Sequence, residues 1–118
     1  MFAYEKLEVY KKAFAVNQNI YRFLKANNSI PRYVKDQLGR ATLSIMLNIA
    51  EGSGKFSNKD RRSFYVIARG SAFECSSILS FLFNESEIPE ALYTELINVY
   101  EEVSRMLYAM IQNLNKEQ

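Results

Sequence analysis

At 118 residues, with 48% hydrophobic and 24% charged side chains, the chain has the make-up of one folded domain and excludes a disordered tail or two independent cores. A single cysteine excludes an intramolecular disulfide, and the lack of any histidine removes the commonest general base and metal ligand. The net charge of +2 is small but unevenly placed: residues 1–70 hold 13 Lys/Arg against 5 Asp/Glu, and residues 71–118 hold 2 against 8.

Only 4 Gly and 2 Pro interrupt the chain, so its elements are long, and long elements in so short a chain are helices. Leu7, Tyr10, Phe14, Asn17, Ile20, Tyr21 and Leu24 form one stripe and predict a first helix over about 7–25. Asn27-Asn28-Ser29 ends it, and Pro31 blocks its continuation. A second helix over about 32–51 carries Val34, Leu38, Ala41, Ile45, Asn48 and Ile49. Gly52-Ser53-Gly54 stops it, glycine being at ease in the left-handed conformation that closes helices.

The third helix starts at Ser57-Asn58-Lys59-Asp60, with Ser57 as cap and Asp60 at the positive helix end. Its stripe is Phe64, Ile67, Ala68, Ser71, Cys75, Ile78, Leu79 and Leu82, reaching about Asn84. The fourth opens near Pro89 and runs along Leu92, Leu96, Val99, Val103, Met106, Leu107, Met110, Ile111 and Leu114. Short connections make chain neighbours antiparallel. The expectation is an all-α fold, an antiparallel up-down-up-down four-helix bundle spanning 1–118 as a single domain.

Val9, Val16 and Phe23 in the first helix, and Leu43, Met46 and Leu47 in the second, lie off these stripes. A second apolar face on a short bundle predicts an oligomer; the alternative is a broad core stripe with scattered exposed residues. The first residues do not read as a signal peptide, and no apolar run approaches the roughly 20 residues that span a bilayer, so a cytoplasmic protein with no membrane contact is expected.

Chemistry is sparse. Cys75 sits on the apolar stripe of the third helix, where a buried, inert thiol is expected. Gly52-Ser53-Gly54-Lys55 is no phosphate-binding loop, because it follows a helix and Phe56 stands where Ser or Thr should hold magnesium. Folding the second and third helices back about Gly54 puts Glu51 near Asn58, and Glu74 near Gln37 or Arg40. The two acids are then several turns apart, and Glu74 reads as a structural acid. Ala68-Arg69-Gly70-Ser71-Ala72 reads as a small-residue seam against Ala41 and Ser44. No catalytic residue, cofactor or metal is implied, and an enzyme is not expected.

The feature with functional reach is Lys55, Lys59, Arg61, Arg62 and Arg69, five cations within 15 residues, with Arg40 in the same positive half. Beside Phe56 and Tyr65, such a group can neutralise phosphates and stack a base. The alternatives are a solvated helix surface, or cancellation against the acidic last helix.

Leu7-Glu8-Val9-Tyr10-Lys11-Lys12-Ala13, then Gln37 to Ile45, then Asn48-Ile49-Ala50-Glu51-Gly52, then Phe64, Ala68, Gly70-Ser71 and Glu74, resemble the pattern of four-helix-bundle proteins encoded in 23S rRNA intervening sequences. Gly39 departs from it, standing where the family often has a second arginine. The resemblance implies an up-down bundle assembled as a homopentamer. It also implies kinship with the accessory protein of diversity-generating retroelements, which works with a reverse transcriptase and nucleic acid. It supplies no catalytic residues. Two functions stay open: an oligomeric accessory protein binding RNA or DNA through Lys55, Lys59, Arg61, Arg62, Arg69 and Arg40, or an oligomeric scaffold that holds a protein partner such as a reverse transcriptase.

Overall fold

A computed structural model describes residues 1–116: a 3-10 turn at Ala3–Lys6 and four helices, α1 Glu8–Ala26, α2 Arg32–Ser53, α3 Asn58–Asn84 and α4 Glu90–Lys116, with no strand among the described residues. The particle measures 47 × 25 × 22 Å, somewhat longer than the about 40 Å of a 27-residue helix and as wide as two packed helices. Contacts between neighbours fix the directions. The Gln37 amide donates to Glu74, Ser71 Oγ donates to Ser44 Oγ at 3.0 Å, and Gly52 packs on Phe64 and Tyr65. Numbers rise along α2 as they fall along α3, so the pair is antiparallel. Arg62 to Asn115 (2.9 Å) and the stacked rings of Phe83 and Tyr93 (4.5 Å) show the same for α3 and α4. Asn17 meeting Met46 and Leu24 meeting Gly39 show it for α1 and α2.

One core runs through the bundle, and α1 enters it by a different face from the expected one. Val9, Ala13, Val16, Ile20 and Phe23 are buried, whereas Phe14 and Tyr21 are 42% and 64% exposed. Both stripes repeat at the three-and-four spacing of a helix. Ala13 decides between them, since a small side chain lets α1 approach closely, while Tyr10 and Tyr21 keep hydroxyls that favour water. Val9, Val16 and Phe23 are therefore core residues. Leu43 and Leu47 remain at the surface as expected.

In α3, Tyr65 and Ala72 join the core and Ile67 is 51% exposed, so the buried stripe is rotated from the expected one near the helix start. α4 adds Tyr100, whose hydroxyl meets Thr42 Oγ1 at 2.8 Å in the interior. An 18-residue window of α3 reaches a mean hydropathy of 1.3, enough by length and composition to cross a bilayer, which corrects the expectation that no run is that apolar. Only 28% of that window is buried in the bundle, and Val66, Ile67, Phe73 and Phe81 are exposed.

Each turn has its own device. Ser57 accepts the Asp60 amide at 3.1 Å, as its sequence position foretold. Gly54 closes α2 at φ −88, so the turn needs no left-handed glycine, contrary to expectation. The left-handed residue is Ser86 (φ 61), which lets the Ser86 and Glu87 amides reach the Phe83 and Leu82 carbonyls at the end of α3. Serine in this region is strained where glycine is not. Ser86→Gly is expected to stabilise the protein by about 0.5–1 kcal/mol, read as a higher thermal midpoint. A lower midpoint would show that strain at Ser86 is not limiting.

Candidate nucleic-acid interface

Four of the six candidate cations collect at the end of the bundle where α2 turns into α3. Arg61 folds back and donates from Nε to the Lys55 carbonyl at 2.7 Å, which braces the turn. Lys55 Nζ lies 5.1 Å from the Phe64 ring centroid and 4.0 Å from the Glu51 carboxylate. Lys59 is exposed on the first turn of α3, and Phe56, next to Lys55 in the turn, is 98% exposed. Tyr65 has no part in this surface. It is 5% exposed in the core, where burial raises its pKa, so only Phe56 offers a free ring here.

Arg62 donates to Asn115 across the α3–α4 contact, so Arg61 and Arg62 each carry a structural bond that a surface reading of the sequence misses. Arg69 lies about 10 Å farther along α3. Its guanidinium rests over Phe73 and Tyr108, at 4.7 and 5.4 Å. Arg40 is exposed on α2, about 22 Å of helix from Lys55, and does not join the cluster. Glu74 takes its bond from Gln37 rather than Arg40.

The charge split survives folding. Among the described residues one ion pair, Lys12 to Glu102 at 2.9 Å, joins the basic half to the acidic half. The others, Glu8 with Lys11, Glu51 with Lys55 and Glu101 with Arg105, are local. Exposed pairs of this kind contribute at most about 1 kcal/mol each. Cancellation by direct pairing is therefore slight, and the turn between α2 and α3 stays basic.

The interior polar groups serve the fold. Cys75 is fully buried, and burial pushes its thiol up to about 12, so it is protonated and a poor nucleophile at neutral pH. Tyr100 is raised by the same desolvation and shares hydrogen bonds with Thr42 and Cys75. Among the described residues no three His, Cys, Asp or Glu side chains stand close enough to hold a metal ion. Gly70 takes no part in the small-residue seam, since a side chain there meets open space; Ser71 makes the contact with Ser44, and Ala68 and Ala72 are buried in the core. The Thr42–Tyr100 bond and the rings around Arg69 were not read from the sequence, although the spacing of Arg69 and Phe73, one helical turn, was visible.

A second surface lies between α1 and α2. Phe14, Tyr21, Leu43 and Met46 line an open groove of about 670 Å³, and Leu47 is exposed beside it. Its extent exceeds scattered single apolar residues.

Residues 5–109 match the model of a family described as 23S rRNA-intervening sequence protein. Among solved structures, a protein of unknown function from the S23 ribosomal protein family of Bacteroides thetaiotaomicron is similar at 25% identity and a TM-score of 0.83, covering 87% of this chain and 97% of that one. No curated protein matches the chain.

Proposed function

The chain belongs to the 23S rRNA-intervening sequence protein family, and from that premise we propose that it is a non-enzymatic, oligomeric accessory protein that binds RNA or DNA through the basic end of its bundle. The observation that carries this is the braced turn with Lys55, Lys59, Arg61 and Arg62 around an exposed Phe56. Cations held at a rigid turn lose little entropy when they meet phosphates. The α1–α2 groove supports assembly, for which a homopentamer is the form the family resemblance favours. A ring repeats the basic end in each subunit, so weak phosphate contacts add along one strand.

Binding is expected to fall steeply with salt and to select weakly among sequences, since each phosphate contact adds about 0.7–0.9 to the log–log slope. Lys55→Ser, Lys59→Ser and Arg62→Ser combined should lower affinity and reduce that slope by about 2–3. Arg61 is left in place because it braces the turn. A gel-shift series across salt, with single- and double-stranded RNA and DNA, measures both quantities. No binding by the wild type at low salt sinks the proposal. The exposed apolar groove then favours the second reading, a scaffold for a protein partner such as a reverse transcriptase.

A further inference from the structure

Arg69 is the cation whose setting the fold does not explain. Its Nε is buried and makes no hydrogen bond, although buried polar groups are normally paired. Among the described residues no carboxylate pairs with it. Two rings on two helices, Phe73 and Tyr108, hold its guanidinium in place, and both are themselves more than half exposed. The adjoining cleft between α3 and α4 has a volume of about 400 Å³ and is lined by Arg69 and Phe73 with Ser76, Ser104, Arg105 and Glu101, while Tyr108 lines a neighbouring hollow that shares Arg69, Ser104 and Arg105 with it. Glu101 meets Arg105 at 3.6 Å and is the one carboxylate lining the cleft, so Arg69 is left without a counter-charge and the cleft keeps a positive balance.

We propose that this cleft seats one nucleotide of a bound single strand, with the phosphate on Arg69 and Arg105 and the base against the open faces of Phe73 and Tyr108. The inference rests on the nucleic-acid reading above and names the form of strand that reading leaves open. A guanidinium fork matches a phosphate in shape and charge, and an aromatic face accepts any base. Lys59, Arg62 and Arg69 fall on one stripe of α3 within about 15 Å, so a strand neutralised at the turn is led to the cleft. A single carboxylate from a second chain is the competing occupant. It leaves most of the cleft and both rings unused.

The test uses the full chain and Arg69→Met, in which the thioether keeps contact with the rings while the charge and the orphaned donor are removed. Adenosine monophosphate, inorganic phosphate and an eight-residue oligouridylate are titrated and followed by ¹⁵N NMR, which resolves the arginine Nε–H groups. Adenosine monophosphate is expected to move the Arg69 Nε–H and the amides near Phe73 and Tyr108 at lower concentration than inorganic phosphate. Arg69→Met is expected to abolish that response and to weaken oligouridylate binding about tenfold, with no fall in thermal midpoint. A fall in midpoint makes Arg69 a structural residue and overturns the proposal, as does a response to adenosine monophosphate no stronger than to phosphate. If oligouridylate binds both proteins equally, the cleft is excluded while the basic turn stands. If the wild type binds no oligouridylate, the nucleic-acid reading fails and this proposal with it.

Discussion

Gly52→Ala and Gly70→Ala, the same chemical change in two adjacent helices, are expected to move the melting temperature in opposite directions. A methyl group at Gly52 would stand 2.9 Å from Phe64 Cβ and 2.9 Å from Tyr65 Cε1. Neither contact is with the free end of a flexible side chain, since Tyr65 is buried and Phe64 Cβ sits next to the α3 backbone. The helices must therefore part, at a typical cost of about 1–3 kcal/mol for overpacking. Gain in helix propensity offsets little of it, because Gly52 is one residue from the end of α2. The thermal midpoint should fall by about 4–12 °C.

At Gly70, in the interior of α3, an added methyl meets nothing within 4 Å and the position is exposed. Only the propensity gain remains, about 0.5–1 kcal/mol, and the midpoint should rise by about 2–4 °C. Thermal denaturation followed by circular dichroism at 222 nm measures both. A rise at Gly52 would contradict the close α2–α3 approach. A fall at Gly70 would mean that this face is covered in the assembled protein.

Those two glycines also mark how far the sequence could be read. The four helices lie within a few residues of their expected bounds, because Pro31, Ser57 and Pro89 carry boundary chemistry that acts locally. The Gln37–Glu74 contact followed from the hairpin register, which a short turn dictates. What a helix faces is not local. α1 offers two stripes with the same period, and the choice between them depends on how closely α2 and α4 approach Ala13. Gly52 reads as a stop signal in sequence, and its close contact with Tyr65 exists only once α3 has folded back. The basic cluster was legible as charge. That Arg61 spends its guanidinium on the Lys55 carbonyl, and that Arg40 stands apart, are facts of three-dimensional placement.

Leu43→Glu combined with Leu47→Glu is expected to convert the proposed oligomer into a folded monomer, and this test ties the apolar face to the proposed function. In the isolated subunit both side chains are exposed, at 43% and 53%, so the change leaves the core untouched. Surface substitutions of this kind usually alter stability by no more than about 0.5 kcal/mol. In an oligomer that buries this face, a carboxylate at each position would be desolvated without a partner at every interface, and the cost multiplies around a ring. Light scattering at micromolar concentration should give a multiple of 13.7 kDa for the wild type, five-fold for a pentamer, and a single chain for the variant. Val16→Glu provides the contrast, because Val16 is buried and a charge there should unfold the subunit rather than separate it. The monomeric variant keeps Lys55, Lys59, Arg61 and Arg62, so its intrinsic phosphate contacts are unchanged. Its affinity for a long strand should nevertheless fall by about 10²-fold or more, because the contacts of neighbouring subunits no longer add. A wild type that is monomeric at these concentrations would remove the oligomer from the proposal. A variant of unchanged mass would move the interface elsewhere, to the exposed apolar side chains of α3, where Ile67 and Phe81 are the residues to change next.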